Sequence, residues 1–192
     1  SAVEAAYASP PRAYHDFKHV REVLHHYADV AVGPGWTQPV EVYLAVLYHD
    51  AIYQPGRKDN EALSARLAME QITQWLPEQG IDTLRVAELI NLTASHGQFS
   101  PADFEEDGLA LDARHFLDCD MAILGAEAEA FDAYDRGIAE EYRGHIPNFI
   151  FRLNRKRFLK GLLARERIYL SDWFHQRYDA RARANLRRAT GG

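Results

Sequence analysis

The chain reads as an all-α protein, one bundle of about seven to nine helices. Three observations lead there. Apolar residues recur at steps of three and four in segment after segment. Glycine and proline punctuate the chain at helix-length intervals. Almost nothing reads as a strand, and no repeat, low-complexity stretch or linker divides the 192 residues, so residues 1–192 form a single domain.

The elements follow in order. Residues 12–31 place Phe17, Val20, Leu24, Tyr27 and Ala31 on one stripe, and Gly33-Pro34-Gly35 breaks it. Pro39 suits the first turn of a second helix over 40–53. That segment is apolar nearly all round, which predicts the central buried helix, and Pro55-Gly56 ends it. Asp59 is placed to cap a third helix running to Leu76. Asp82 caps a fourth, which ends near Ser95 or His96. Residues 97–112 read as an acidic loop. A fifth helix covers 113–124 and stops at Gly125; a sixth carries Phe131, Tyr134, Ile138 and Tyr142. Pro147 opens a longer stretch that divides near Ser171-Asp172 and ends near Arg188.

Composition is that of an ordinary soluble globular protein, 47% hydrophobic and 26% charged. A lone cysteine, Cys119, excludes an internal disulfide. No apolar run reaches the roughly 20 residues that span a bilayer, and no signal-peptide pattern opens the chain, so no membrane partner and a cytoplasmic location are expected. The charge is divided: residues 1–142 carry 9 basic and 25 acidic side chains, residues 143–192 carry 13 and 3. Most of those C-terminal arginines are expected to be solvated. Zinc-finger spacing and an aromatic-rich sheet signature are both missing, so nucleic acid is not an expected partner.

His49-Asp50 is the most informative dipeptide. A helix this apolar carries a histidine and a carboxylate only at a cost of several kcal/mol, on the order of an unpaired buried charge, and a metal ion would relieve both. The plain alternative is that the helix ends at Tyr48 and the pair is solvated. His15 and His19 lie at i and i+4, on one helical face, a usable ligand spacing of which one member is expected to bind. Asp118 and Asp120 interrupt an apolar run; at about 100° per residue they point about 200° apart, so a regular helix sends only one of them into a small site. His25 and His26 read as surface residues.

A histidine, a His-Asp pair and a later aspartate, in that order on separate helices, resemble the HD superfamily of metal-dependent phosphohydrolases. Further likeness, to a branch of predicted HD phosphohydrolases of bacteria and some eukaryotes, extends over nearly the whole chain from about Tyr7. It includes Tyr14-His15, Tyr48-His49-Asp50, Asp59-Asn60-Glu61, Ser64-Ala65, Thr93, His96, Leu117-Asp118, Glu141-Tyr142, Arg155-Lys156, Arg167-Ile168-Tyr169 and Ala184-Asn185-Leu186. The branch usually has glycine where this chain has Asn154.

The resemblance implies an HD-type bundle whose metal ligands are His19, His49, Asp50 and Asp120. Asp120 is preferred because the family's closing acid often stands second in an Asp-x-Asp run, with Asp118 as the fallback. Such mixed N/O donors suit one Mn²⁺, Fe²⁺, Co²⁺, Ni²⁺ or Zn²⁺, with Mg²⁺ also admitted and two ions as the alternative. The implied activity is hydrolysis of a small phosphate ester, such as a nucleotide, by a metal-activated water. Asp50, Glu61 and His96 are the candidate catalytic residues. Glu61 stands evenly between a general base and a helix-start acid, and His96 between an acid and a helix C-cap. His15, Arg155 and Lys156 are the candidates for substrate contact. Two other readings are a two-iron oxygenase, for which His15 and His96 are the only spare ligands, and a non-catalytic metal or nucleotide binder. A homodimer is left open.

Overall fold

The computed structural model describes residues 2–8 and 12–191. These form nine α-helices: α1 (Ala2–Ala8), α2 (Phe17–Val32), α3 (Pro39–Tyr48), α4 (Asn60–Trp75), α5 (Thr83–Leu92), α6 (Gly108–Met121), α7 (Ala128–Glu141), α8 (Asn148–Leu163) and α9 (Asp172–Thr190). Short 3₁₀ turns at Thr93–Ser95, Pro101–Asp103 and Ala122–Gly125 complete them, and no strand occurs among the described residues. The all-α expectation holds. No helix among the described residues is long and apolar enough to cross a membrane.

The centre of the bundle is α6 rather than α3. Asp112, Ala113 and every residue from His115 to Met121 are buried. Alpha-3 keeps Val40 and Tyr43 exposed, although Val42, Ala45 and Val46 are fully enclosed. The helix begins five residues before the predicted Ala113, because Asp107 Oδ1 accepts from Ala110 N at 2.7 Å and caps it. Asp112 then ties α6 to the start of α3, its two oxygens accepting from the backbone N–H groups of Thr37 and Gln38 at 2.9 and 2.7 Å.

Two other boundaries bear on the site. Alpha-2 starts at Phe17, later than expected, because Asp16 Oδ1 takes the N–H groups of Lys18 and His19. Alpha-3 ends at Tyr48 instead of continuing to residue 53. The backbone beyond it is held by α4: Ser64 Oγ accepts from Ile52 N at 3.0 Å, and Asn60 Oδ1 accepts from Gln54 N at 3.0 Å. Asp59 occupies the cap position of α4, but its carboxylate pairs with Arg57 and caps nothing.

The basic C-terminal region is less solvated than its composition suggests. Arg183 donates to the carbonyls of Leu163, Arg165 and Glu166 and pairs with Asp179. Arg181 bonds Gly125 O at 2.6 Å and pairs with Glu127, and Arg188 pairs with Asp132. These contacts lay α9 along the 122–125 turn and α7. Position 154 lies inside the continuous helix α8, where nothing requires a glycine.

Candidate metal centre

Three helix ends bring the donors together. His19 stands in the capped first turn of α2, His49 is the C-cap of α3, and Asp120 lies in the last turn of α6. Their exposures are 3%, 1% and 8%. His49 Nδ1 lies 2.9 Å from Val46 O, so it carries the proton and leaves the Nε2 lone pair facing the cluster. His19 Nε2 is 3.2 Å from His49 Nε2 and 3.0 Å from Asp120 Oδ1; His49 Nε2 is 3.5 Å from the same oxygen. Asp50 Oδ2 adds distances of 3.1 Å to His49 Nε2 and 3.6 Å to His19 Nε2. The pair at 49–50 follows a helix that does end at Tyr48, yet His49 is among the most enclosed residues of the chain.

The spacing fits a single ion. Ligands about 2.1 Å from one metal lie about 3.0 to 3.4 Å apart, for angles between octahedral and tetrahedral. The three distances among His19, His49 and Asp120 span 3.0–3.5 Å, and Asp50 approaches both histidines at 3.1 and 3.6 Å but is not one of the mutually close group. The buried His19, His49 and Asp120 group could therefore hold a metal ion. The imidazoles and carboxylates of the cluster also hold one another's charge. Burial alone would raise Asp120, but hydrogen bonds from His19, His49 and His96 hold its carboxyl well below the usual range. Burial would raise Asp50 too, and the charges of His49 and His15 pull it down instead. Burial would lower His49, but the Asp50 charge and the bond with Asp120 raise it.

The two acids of α6 separate cleanly. Asp120 faces the imidazoles. Asp118 faces the start of α9, where it accepts from Leu170 N at 2.8 Å, Ser171 N at 2.7 Å and Ser171 Oγ at 2.6 Å. Burial pushes Asp118 up to about 7, against the pull of those three donors.

A cavity of about 250 Å³ opens over Asp50 and Asp120, and His15, Glu61, His96 and Arg155 all line it. His96 Nδ1 is 2.7 Å from Asp120 Oδ2, the oxygen not shared with His19. Burial would lower this imidazole, and the Asp120 bond raises it instead. His15 stacks on Tyr53 at 4.1 Å and places Nδ1 2.6 Å from Glu141 Oε2. Arg155 pairs with Asp135 through Nε at 2.9 Å and lies over the Tyr134 ring. Its Nη2 and the Tyr14 hydroxyl belong to residues that line the cavity but are themselves buried, without a hydrogen-bond partner among the described residues. Lys156 does not line this cavity; it is exposed on a neighbouring one.

Several residues that build the site carry no obvious sequence signal. Arg12 donates to the carbonyls of His15 (2.8 Å), Asp50 (2.6 Å) and Ala51 (2.9 Å), clamping the approach to α2 against the turn after α3. Buried Tyr7 donates to Leu47 O and accepts from Asp50 N. Glu141 accepts from the backbone of Tyr14 and His15 as well as from the His15 ring. The one available clue was Glu141-Tyr142 beside His15 in the family likeness, where neither had a role.

Comparison with protein-family models, curated proteins and solved structures finds no match to this chain.

Proposed function

We propose that the chain is a metal-dependent phosphohydrolase of the HD type, acting on a small phosphate ester. The observation that carries this reading is the convergence of His19, His49, Asp50 and Asp120 from three helix ends under a cavity walled by Arg155. When bound there, a divalent ion such as Mn²⁺, Fe²⁺, Co²⁺, Ni²⁺, Zn²⁺ or Mg²⁺ supplies Lewis acidity and activates water. Arg155, a planar cation among the residues lining the cavity, is suited to the phosphoryl oxygens. Glu61 on the cavity wall is the base that takes the proton from water. His96 gives a proton to the leaving oxygen as its bond to phosphorus breaks.

Elemental analysis of the purified chain, followed by a phosphatase screen with Mn²⁺, Co²⁺ or Ni²⁺, tests the reading. About one ion per chain and metal-dependent release of phosphate are expected. His49→Ala and Asp50→Ala should lose the metal; full metal content in both would refute it. Two irons per chain would point to oxygen chemistry instead.

A further inference from the structure

Of the nine helices, α8 alone has no acidic residue, and it carries five cations. Arg155 is turned inward to Asp135, whereas Arg152, Lys156, Arg157 and Lys160 are exposed. Three large apolar side chains also stand exposed near its start: Phe149 at 72%, Leu153 at 57%, and Ile150 between them. Scattered apolar residues on a surface are ordinary, but a cluster rimmed by cations marks a contact face. At about 100° per residue, Phe149, Ile150, Leu153, Lys156, Arg157 and Lys160 all fall within one sector about 120° wide. Buried Leu159 and Leu162 lie on the opposite side. The outward face of α8 is therefore layered along its axis, apolar at its start and cationic in the turns that follow.

We propose that the start of α8 docks on an anionic lipid surface, with Phe149, Ile150 and Leu153 entering the acyl boundary and Lys156, Arg157 and Lys160 meeting the lipid phosphates. The layering selects this occupant. The centres of the apolar and cationic bands lie about 10 Å apart along the helix. A helix inclined by about 45° converts that spacing into about 7 Å of depth, the thickness of a bilayer's headgroup layer. The absence of acids on α8 removes the repulsion that an anionic surface would otherwise meet there. The other exposed apolar group, Trp75, Leu76 and Leu84, has exposed Glu78 and Asp82 between its members in sequence, and such a surface would repel it. That contrast fixes which end of the molecule faces the lipid. No helix among the described residues is able to cross a membrane, so the attachment is peripheral and reversible. It does not depend on the phosphohydrolase reading of the metal centre.

Flotation of the purified chain with vesicles of phosphatidylcholine, with or without about 30% phosphatidylserine, tests the proposal. In about 0.1 M salt the anionic vesicles should bind at least about tenfold more tightly than the neutral ones, and about 0.5 M salt should remove most of that difference. Phe149→Ser and Leu153→Ser should each weaken binding about tenfold, and Lys156→Gln and Arg157→Gln about fivefold. Phe149→Trp should keep the affinity, because an indole suits the interface. Trp75→Ser, in the acidic group, should stay within about twofold. These are exposed positions, and an unchanged thermal midpoint shows that the fold is kept. Soluble glycerophosphoserine at the lipid's concentration should not compete, which separates a lipid surface from a free phosphate. Equal binding to the two kinds of vesicle, or unchanged binding by Phe149→Ser and Leu153→Ser, would overturn the proposal. Competition by glycerophosphoserine would do the same. So would a dimer in sedimentation without lipid that these two substitutions dissociate, since the face would then belong to a second copy.

Discussion

The two sides of α6 carry the same residue type at the same depth and use it in opposite ways. Asp118 and Asp120 are 2% and 8% exposed. On one side three neutral donors from residues 170–171 surround the carboxylate; on the other, three imidazoles do. Burial pushes Asp118 up to about 7, whereas the histidines keep Asp120 well below its ordinary value. Burial by itself makes a carboxylate reluctant to ionise. Its neighbours decide whether it becomes a fastening for a helix end or an anion prepared for a cation.

Substitution at each acid is the sharpest way to break this contrast. Asp120→Ala should lower metal affinity by a factor on the order of a hundred or more, measured by competition with a chelator, because a ligand is lost rather than a supporting bond. Asp118→Ala should instead destabilise the fold by about 3 kcal/mol in urea unfolding, since Leu170 N and Ser171 N and Oγ lose their acceptor. The folded fraction should keep its metal. Equal metal loss in both variants would erase the distinction.

His115 adds a pH test on the same helix. It is 2% exposed, and burial, helped by Arg114, pushes it down to about 4. The unfolded chain binds its proton near pH 6.5, so this group contributes stability above that value and loses it as pH falls toward 4. His115→Gln removes that dependence. Its stability relative to the parent should therefore rise by about 2–3 kcal/mol between pH 6.5 and 4, as followed by denaturant titration. A flat difference would mean that His115 is protonated within the fold.

The smallest expected effect concerns the turn after His49. Ser64→Ala leaves Ile52 N without its acceptor, and a loss of about 1–2 kcal/mol is expected. Because that turn positions Asp50, metal affinity should drop about tenfold at the same time. Unchanged affinity would show that Arg12 and Tyr7 hold Asp50 without help from α4.

Much of the fold was legible locally. Asp82 capping Thr83–Leu92 and Ser171 opening α9 both follow from short-range chemistry, whereas the helix expected to stop at Gly125 ends at Met121, and Gly125 is a place where Tyr169 and Tyr178 approach the backbone too closely for a Cβ. The helical phase argument separated Asp118 from Asp120 but could not say which faced the cluster; the Asp-x-Asp likeness chose Asp120, and the structure places it beside both histidines. The misplaced helix starts have one cause. Asp16 and Asp107 offer their side chains to backbone N–H groups, and apolar periodicity does not register that competition. The length of α3 was misread for a related reason, since Asn60 and Ser64 intercept the backbone that would have continued it.

From the sequence alone come the helical class, the punctuation between helices and the small set of residues able to bind a cation, because each depends on neighbours within a turn or two. Only the tertiary structure decided that α6 is the central helix, that Arg155 reaches the cavity over Asp50 and Asp120 while Lys156 lines only the neighbouring one, and that Arg12 and Glu141 support the site. Those outcomes depend on which groups remain unsatisfied once helices far apart in the chain are packed together. A donor such as Arg12 has its acceptors near residues 15 and 50, and Glu141 meets a histidine 126 positions away.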